Sequence, residues 1–127
     1  MGLALMCKGH DTLHIGYGGF SIFRKQIAQA YSEKHGKLYS DMLKNLRKPL
    51  PDNFDEMWND GCDDNLDILL WHSDCDGRLT PQESRIILNS LKKLTISFED
   101  EYYETFYKNF LSLLEHSKKR RVIIFFC

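Results

Sequence analysis

The chain has 127 residues, 43% of them apolar and 13% aromatic, enough for one domain with a modest core. A formal net charge of −1 excludes the strong basic excess of a dedicated nucleic-acid binder. No apolar run approaches the ~18 residues of a membrane span, and Met1–Met6 is too short and too uncharged for a secretory signal, so a cytoplasmic location is expected.

Leu3-Ala4-Leu5-Met6-Cys7 suits a short strand, and Lys8-Gly9-His10-Asp11 a polar turn. Leu13, Ile15 and Tyr17 then alternate with Thr12, His14 and Gly16, the period of a half-buried strand, so a hairpin is expected. Cys7, His10 and His14 have zinc-like spacing, although the alternation turns His14 outward. Gly16-Tyr17-Gly18-Gly19 lacks the spacing of either glycine-rich phosphate loop and suits a flexible or φ > 0 strand-to-helix turn. Phe20, Phe23, Ile27, Ala30 and Tyr31 fall on one face of the next helix, with Gly36 placed to stop it.

Tyr39, Met42, Leu43 and Leu46 mark a shorter amphipathic piece. Pro49-Leu50-Pro51-Asp52 breaks it, and Asn53–Gly61, dense in acid, suits a connector with a turn of helix bearing Phe54, Met57 and Trp58. A helix over 64–71 follows, carrying Leu66, Leu69 and Leu70.

The most informative stretch comes next. A calcium-binding helix–loop–helix uses twelve loop residues, with oxygen ligands at fixed positions and Gly sixth, where the backbone turns. Counting from His72 puts Asp74 third, Asp76 fifth, Gly77 sixth, Arg78 seventh, Leu79 eighth and Glu83 twelfth. The candidate metal ligands are therefore His72, Asp74, Asp76, Arg78 and Glu83. His72 stands where such loops normally carry Asp. Calcium takes oxygen ligands, whereas imidazole suits zinc, copper, iron or nickel. Three readings stay open: a metal-free scaffold, a weak Ca²⁺ or Mg²⁺ site, and a transition-metal site through His72. Thr80-Pro81-Gln82-Glu83 also spells a capping box, which would by itself account for Glu83.

The exiting helix carries Ile87, Leu91 and Leu94. Ser97 is placed to cap a long last helix with Phe98, Tyr102, Phe106, Phe110 and Leu114 as its inward stripe. Lys118-Lys119-Arg120-Arg121 suits the negative end of that helix, and Val122–Phe126 reads as a strand whose natural partner is the N-terminal one. Cys7, Cys62, Cys75 and Cys127 form no C-x-x-C pair, and free thiols are expected. The acids around Cys75 would raise its pKa, the wrong direction for a nucleophile.

Leu70-x-His72-Ser73-Asp74-Cys75-Asp76-Gly77 and Gly16-Tyr17-x-x-Phe20-x-x-Phe23-Arg24-x-x-Ile27-Ala28, with the final helix and apolar strand, resemble a group of small uncharacterised proteins of bacteria and their phages. Members carry an acid where this chain has Arg78, which leaves its loop less anionic. The resemblance implies a source, and no activity.

The expected fold is a single α+β domain, mostly α, with about four helices, an EF-hand-like helix–loop–helix, and a small antiparallel sheet joining the termini. The expected function is that of a non-enzymatic binding or accessory protein, phage-encoded in one reading, acting on a protein or small-molecule partner with no membrane involved. Its loop would be scaffold or a weak divalent-cation site, with Ca²⁺ the cofactor in view. The alternative is a metal-dependent enzyme with His72, Asp74 and Asp76 as ligands and Glu83 as ligand or general base.

Overall fold

The computed structural model describes residues 2–45, 48–61, 64–72 and 77–127. The two termini meet in one antiparallel sheet. Strand β1 (Gly2–Cys7) pairs with β2 (His10–Gly16) in a hairpin whose turn places Gly9 at φ 86°. On its other edge β1 pairs with β4 (Ile124–Phe126), Leu5 opposite Phe126 and Cys7 opposite Ile124. The backbones of Ala4 and Cys127 exchange hydrogen bonds of 3.0 and 2.9 Å. The expected pairing of N- and C-terminal strands is therefore present.

The sequence did not disclose the fourth strand. Gly77–Leu79 forms β3 and pairs with β4, giving the order β2-β1-β4-β3. Three residues are too few to show a period of two. Alternation sets the buried face: Leu3, Leu5 and Cys7 of β1 and Leu13 and Ile15 of β2 point into the core.

Among the described residues there are six helices, not about four: α1 (Tyr17–Tyr31), α2 (Glu33–Lys44), α3 (Phe54–Asn59), α4 (Asp64–Leu70), α5 (Pro81–Lys92) and α6 (Glu101–Arg120). The two extra ones, α3 and α4, span six and seven residues, too short for a periodic signal. The core joins the inner face of the sheet to α1 and α6. Phe23 meets Phe106 and Phe110 edge-on at 4.9 and 5.6 Å between ring centres, and Phe98 stacks on it at 5.9 Å.

Four local expectations need correcting. The Gly16–Gly19 stretch is no positive-φ turn: Gly16 is extended at φ −64° and helix begins at Tyr17. Gly19 is small because a Cβ there would lie 3.2 Å from Ile15. Gly36 does not stop α1. Ser32 ends α1 and starts α2, its hydroxyl accepting from His35 N, while Gly36 sits inside α2. A Cβ on Gly36 would fall 2.7 Å from Gln29 Cα, so this glycine lets α1 and α2 touch.

The last helix starts later than expected, capped by Asp100 rather than Ser97, so Phe98 packs from the preceding loop. Tyr102 is 53% exposed. Steps of four residues drift about 40° per repeat around a helix of 3.6 residues per turn. The buried line follows Phe106, Phe110, Leu113, Leu114 and Ser117 instead. At the far end Arg121 adopts the left-handed conformation, φ 57°, that closes α6. Buried Ser117 donates from its hydroxyl to Val122 O at 2.6 Å and accepts from Ser84 of α5 at 3.0 Å, tying both helices to the chain leading into β4.

Candidate functional site

The His72–Glu83 segment was the strongest sequence candidate, and the side chains of His72, Thr80 and Glu83 hydrogen-bond within it. It follows α4, whose final carbonyls would otherwise lack partners. Arg24, buried on α1, supplies them: its guanidinium donates to Leu70 O at 3.4 Å and to His72 O at 2.6 Å. The same guanidinium lies 4.4 Å from the centre of the Phe20 ring, a cation–π arrangement. Tyr39 of α2 adds a hydroxyl donated to Leu70 O at 3.3 Å. Two other helices thus fix where His72 begins.

The His72 ring packs against Phe126 of β4 at 4.1 Å between centres, and its Nε2 donates to Arg78 O at 2.9 Å. The first and seventh positions of the expected metal loop are therefore bonded to one another. A carbonyl only accepts, so Nε2 carries a hydrogen and is not a metal donor in this arrangement. A Cβ on Gly77 would fall 2.8 Å from His72 Cε1, so the His72 ring crowds any side chain at this position.

Glu83 completes the capping box. Its Oε1 accepts from Thr80 N at 3.0 Å, and its own N donates to Thr80 Oγ1 at 3.1 Å. Asp74 and Asp76, with Cys75, lie outside the described residues, as does Cys62. Among the described residues no three His, Cys, Asp or Glu side chains gather as a metal-holding group.

The zinc-like spacing near the N-terminus does not become a cluster. Cys7 is buried on the inner face of the sheet, where desolvation pushes its thiol pKa up, while His14 is exposed. His10 instead bonds Asp11 O at 2.8 Å and Ser112 Oγ at 3.1 Å. The described cysteines, Cys7 and Cys127, are free thiols.

A more open surface lies on the other flank, in the segment expected to be a connector. Residues 48–51 and α3 face α2 across a groove of about 660 Å³. Leu38, Met42, Leu50, Phe54 and Met57 give it apolar walls, and Lys34, Lys37 and Lys48 stand around it beside Asp41. The groove lies between α2 and the stretch from Lys48 to Met57. The imidazole of His35, 2% exposed, fixes that return by donating from Nε2 to Trp58 O at 2.6 Å, with Ser32 Oγ 2.5 Å from Nδ1. Tyr31 donates its hydroxyl to Gly61 O. Lys34 reaches Asp60 at 2.9 Å, and that hydrogen bond and charge hold the Asp60 carboxyl below the usual carboxylate range.

Lys37 and Lys48 make no ion pair among the described residues, which leaves positive charge beside apolar walls. Sequence reading missed this groove, because its walls come from two segments and its apolar residues were assigned to the core. The available signal was Leu50: a large apolar residue between two prolines has no regular element to bury it, and it is 45% exposed.

Comparison of the chain with protein-family models, with curated proteins and with solved structures found no match. Among the described residues no helix is long and apolar enough to cross a membrane.

Proposed function

We propose that this chain is a small binding protein, not an enzyme, whose ligand occupies the groove between α2 and α3, and that the His72–Glu83 segment is scaffold. The observation that carries the reading is the pairing, in one groove, of apolar walls with lysines that make no ion pair among the described residues. Its volume of about 660 Å³ lies within the range of small-molecule sites. The chemistry it suits is an amphipathic anion, an apolar body buried against Leu38, Met42 and Met57 with a carboxylate or sulfate toward Lys37 and Lys48. The rival reading is a metal-dependent enzyme through His72, Asp74, Asp76 and Glu83; the scaffold reading is supported by the bonds that His72 and Glu83 already make to Arg78 and Thr80.

Calorimetric titration with decanoate tests the proposal. Binding is expected for the unmodified chain, weakened several-fold by Lys37→Glu with Lys48→Glu, and lost in Met42→Asp. No binding, or equal affinity in the double lysine variant, would overturn it.

A further inference from the structure

The start of α5 and the end of α6 meet around an open pocket of about 580 Å³. Thr80, Pro81, Gln82 and Arg85 line it from the α5 side, and Lys118 and Arg121 from the α6 side. Its three charged groups are all cations, and no Asp or Glu lines it among the described residues.

Local structure brings these cations together. Ser84 and Ser117, both fully buried, share a hydrogen bond of 3.0 Å, and each directly precedes a cation of the pocket, Arg85 or Lys118. Arg121 is placed by the left-handed turn that ends α6, where its N–H donates to Ser117 O. At φ 57° it is the single non-glycine residue with positive φ among the described residues, in a conformation that glycine adopts far more readily.

The hydrogen-bond donors of the pocket are largely unused. Arg85 and Arg121 are exposed and make no ion pair among the described residues. Lys118 has a wide contact to Glu115 at 3.5 Å, and Glu115 also faces Lys92 at 3.8 Å. Thr80 Oγ1 accepts from Glu83 N, which leaves its own hydroxyl hydrogen to donate. Glu83, the acid nearest in sequence, is turned onto Thr80 N by the capping box.

From this convergence we infer a further binding site, between Arg85, Lys118 and Arg121, for the dianion of a phosphate monoester. Such a group carries nearly two charges and three acceptor oxygens near neutral pH, enough to meet all three cations at once. The planar fork of each guanidinium matches phosphate oxygens in pairs. A carboxylate offers one charge and two oxygens, and leaves a cation unmatched. Pro81 is the one apolar residue of the lining, so the apolar body suited to the α2–α3 groove finds no wall here. The two sites are separate, and either can fail without the other.

Calorimetric titration with glycerol 3-phosphate tests the inference, with acetate as the monoanionic control. Saturable binding of glycerol 3-phosphate is expected, about tenfold or more tighter than acetate. Co-sedimentation with vesicles containing phosphatidic acid separates the sources. Binding of glycerol 3-phosphate without the vesicles identifies a free phosphate ester, binding of both identifies a lipid headgroup, and either supports the site. Arg121→Gly removes the guanidinium while favouring the positive-φ backbone that ends α6, and is expected to weaken binding by about tenfold. Arg85→Gln, at an exposed helical position, is expected to weaken it several-fold with circular dichroism unchanged. Lys108→Gln removes the same charge from an exposed site elsewhere on α6 and is expected to bind as the parent does. The inference is overturned if glycerol 3-phosphate shows no saturable binding, or if acetate matches it. It is equally overturned if Lys108→Gln weakens binding as much as Arg121→Gly, or if Arg85→Gln and Arg121→Gly bind as the parent does.

Discussion

The His72–Glu83 segment and the Pro49–Gly61 segment contrast in how their polar and apolar groups are used. The His72–Glu83 segment carries ligand-type side chains, yet His72 bonds Arg78, Glu83 bonds Thr80, and Arg24 covers the end of α4. The Pro49–Gly61 segment has the composition of a connector, yet its Leu50 and Phe54 line a groove with lysines around it. Ligand-type residues are not evidence of a site when neighbouring backbone groups can use them. Surface left open after local bonding is the better indicator.

The largest expected effect comes from the closed corner. Deleting residues 124–127 removes β4, which joins β1 to β3 and covers the His72 ring. The product is expected to be insoluble or unfolded by circular dichroism. A folded, soluble truncation would break the claim that β4 holds this corner shut.

Arg24→Met keeps much of the apolar stem but withdraws the charged donor from Leu70 O and His72 O. Hydrogen bonds to charged groups contribute about 1.5–3 kcal/mol, so a stability loss of about 2 kcal/mol in urea unfolding is expected. A loss below about 0.5 kcal/mol, the scale of an ordinary surface substitution, would mean that the end of α4 does not depend on Arg24.

Thr80→Ala should cost about 1 kcal/mol as a lost cap. Glu83→Gln should be nearly neutral, because Gln serves a capping box as well as Glu. The pair sharpens the comparison: a metal-ligating Glu83 would make Glu83→Gln abolish any metal-dependent rise in melting temperature, and a capping Glu83 would not.

The smallest effect belongs to the open flank. Lys34 lowers the Asp60 pKa in the folded state, so this pair contributes stability above the unfolded pKa that fades as pH falls through the folded value. Both groups are largely exposed, which keeps the contribution slight. Asp60→Asn should flatten the acid limb of the stability–pH curve slightly. An unchanged limb would remove Lys34–Asp60 from the account.

Long elements were legible in the sequence, and so was the partnership of the terminal strands. Fifteen residues of α1 and twelve of α5 display a full apolar face, and Thr80-Pro81-x-Glu83 announces its cap. What was not legible depends on tertiary proximity. Gly36 is small because Gln29 crosses it, and Gly77 because the His72 ring lies over it. Strand β3 exists because β4 lies alongside. Likewise the spacing of residues 72–83 was visible, but not that the first position would bond the seventh. Nor was the α2–α3 groove visible, since it brings together residues from separate segments around a proline break that has no period.

The central proposal is that binding of the amphipathic ligand belongs to the flank around Pro49–Trp58, while His72 and Glu83 serve as scaffold. Amide NMR spectra recorded during separate additions of decanoate, calcium and zinc test it most directly. The account predicts saturable shifts in α2 and α3 with decanoate, and no saturable shift at His72, Arg78 or Glu83 with either metal. Saturation of His72, Arg78 and Glu83 by micromolar calcium or zinc, with α2 and α3 unmoved by decanoate, would contradict it.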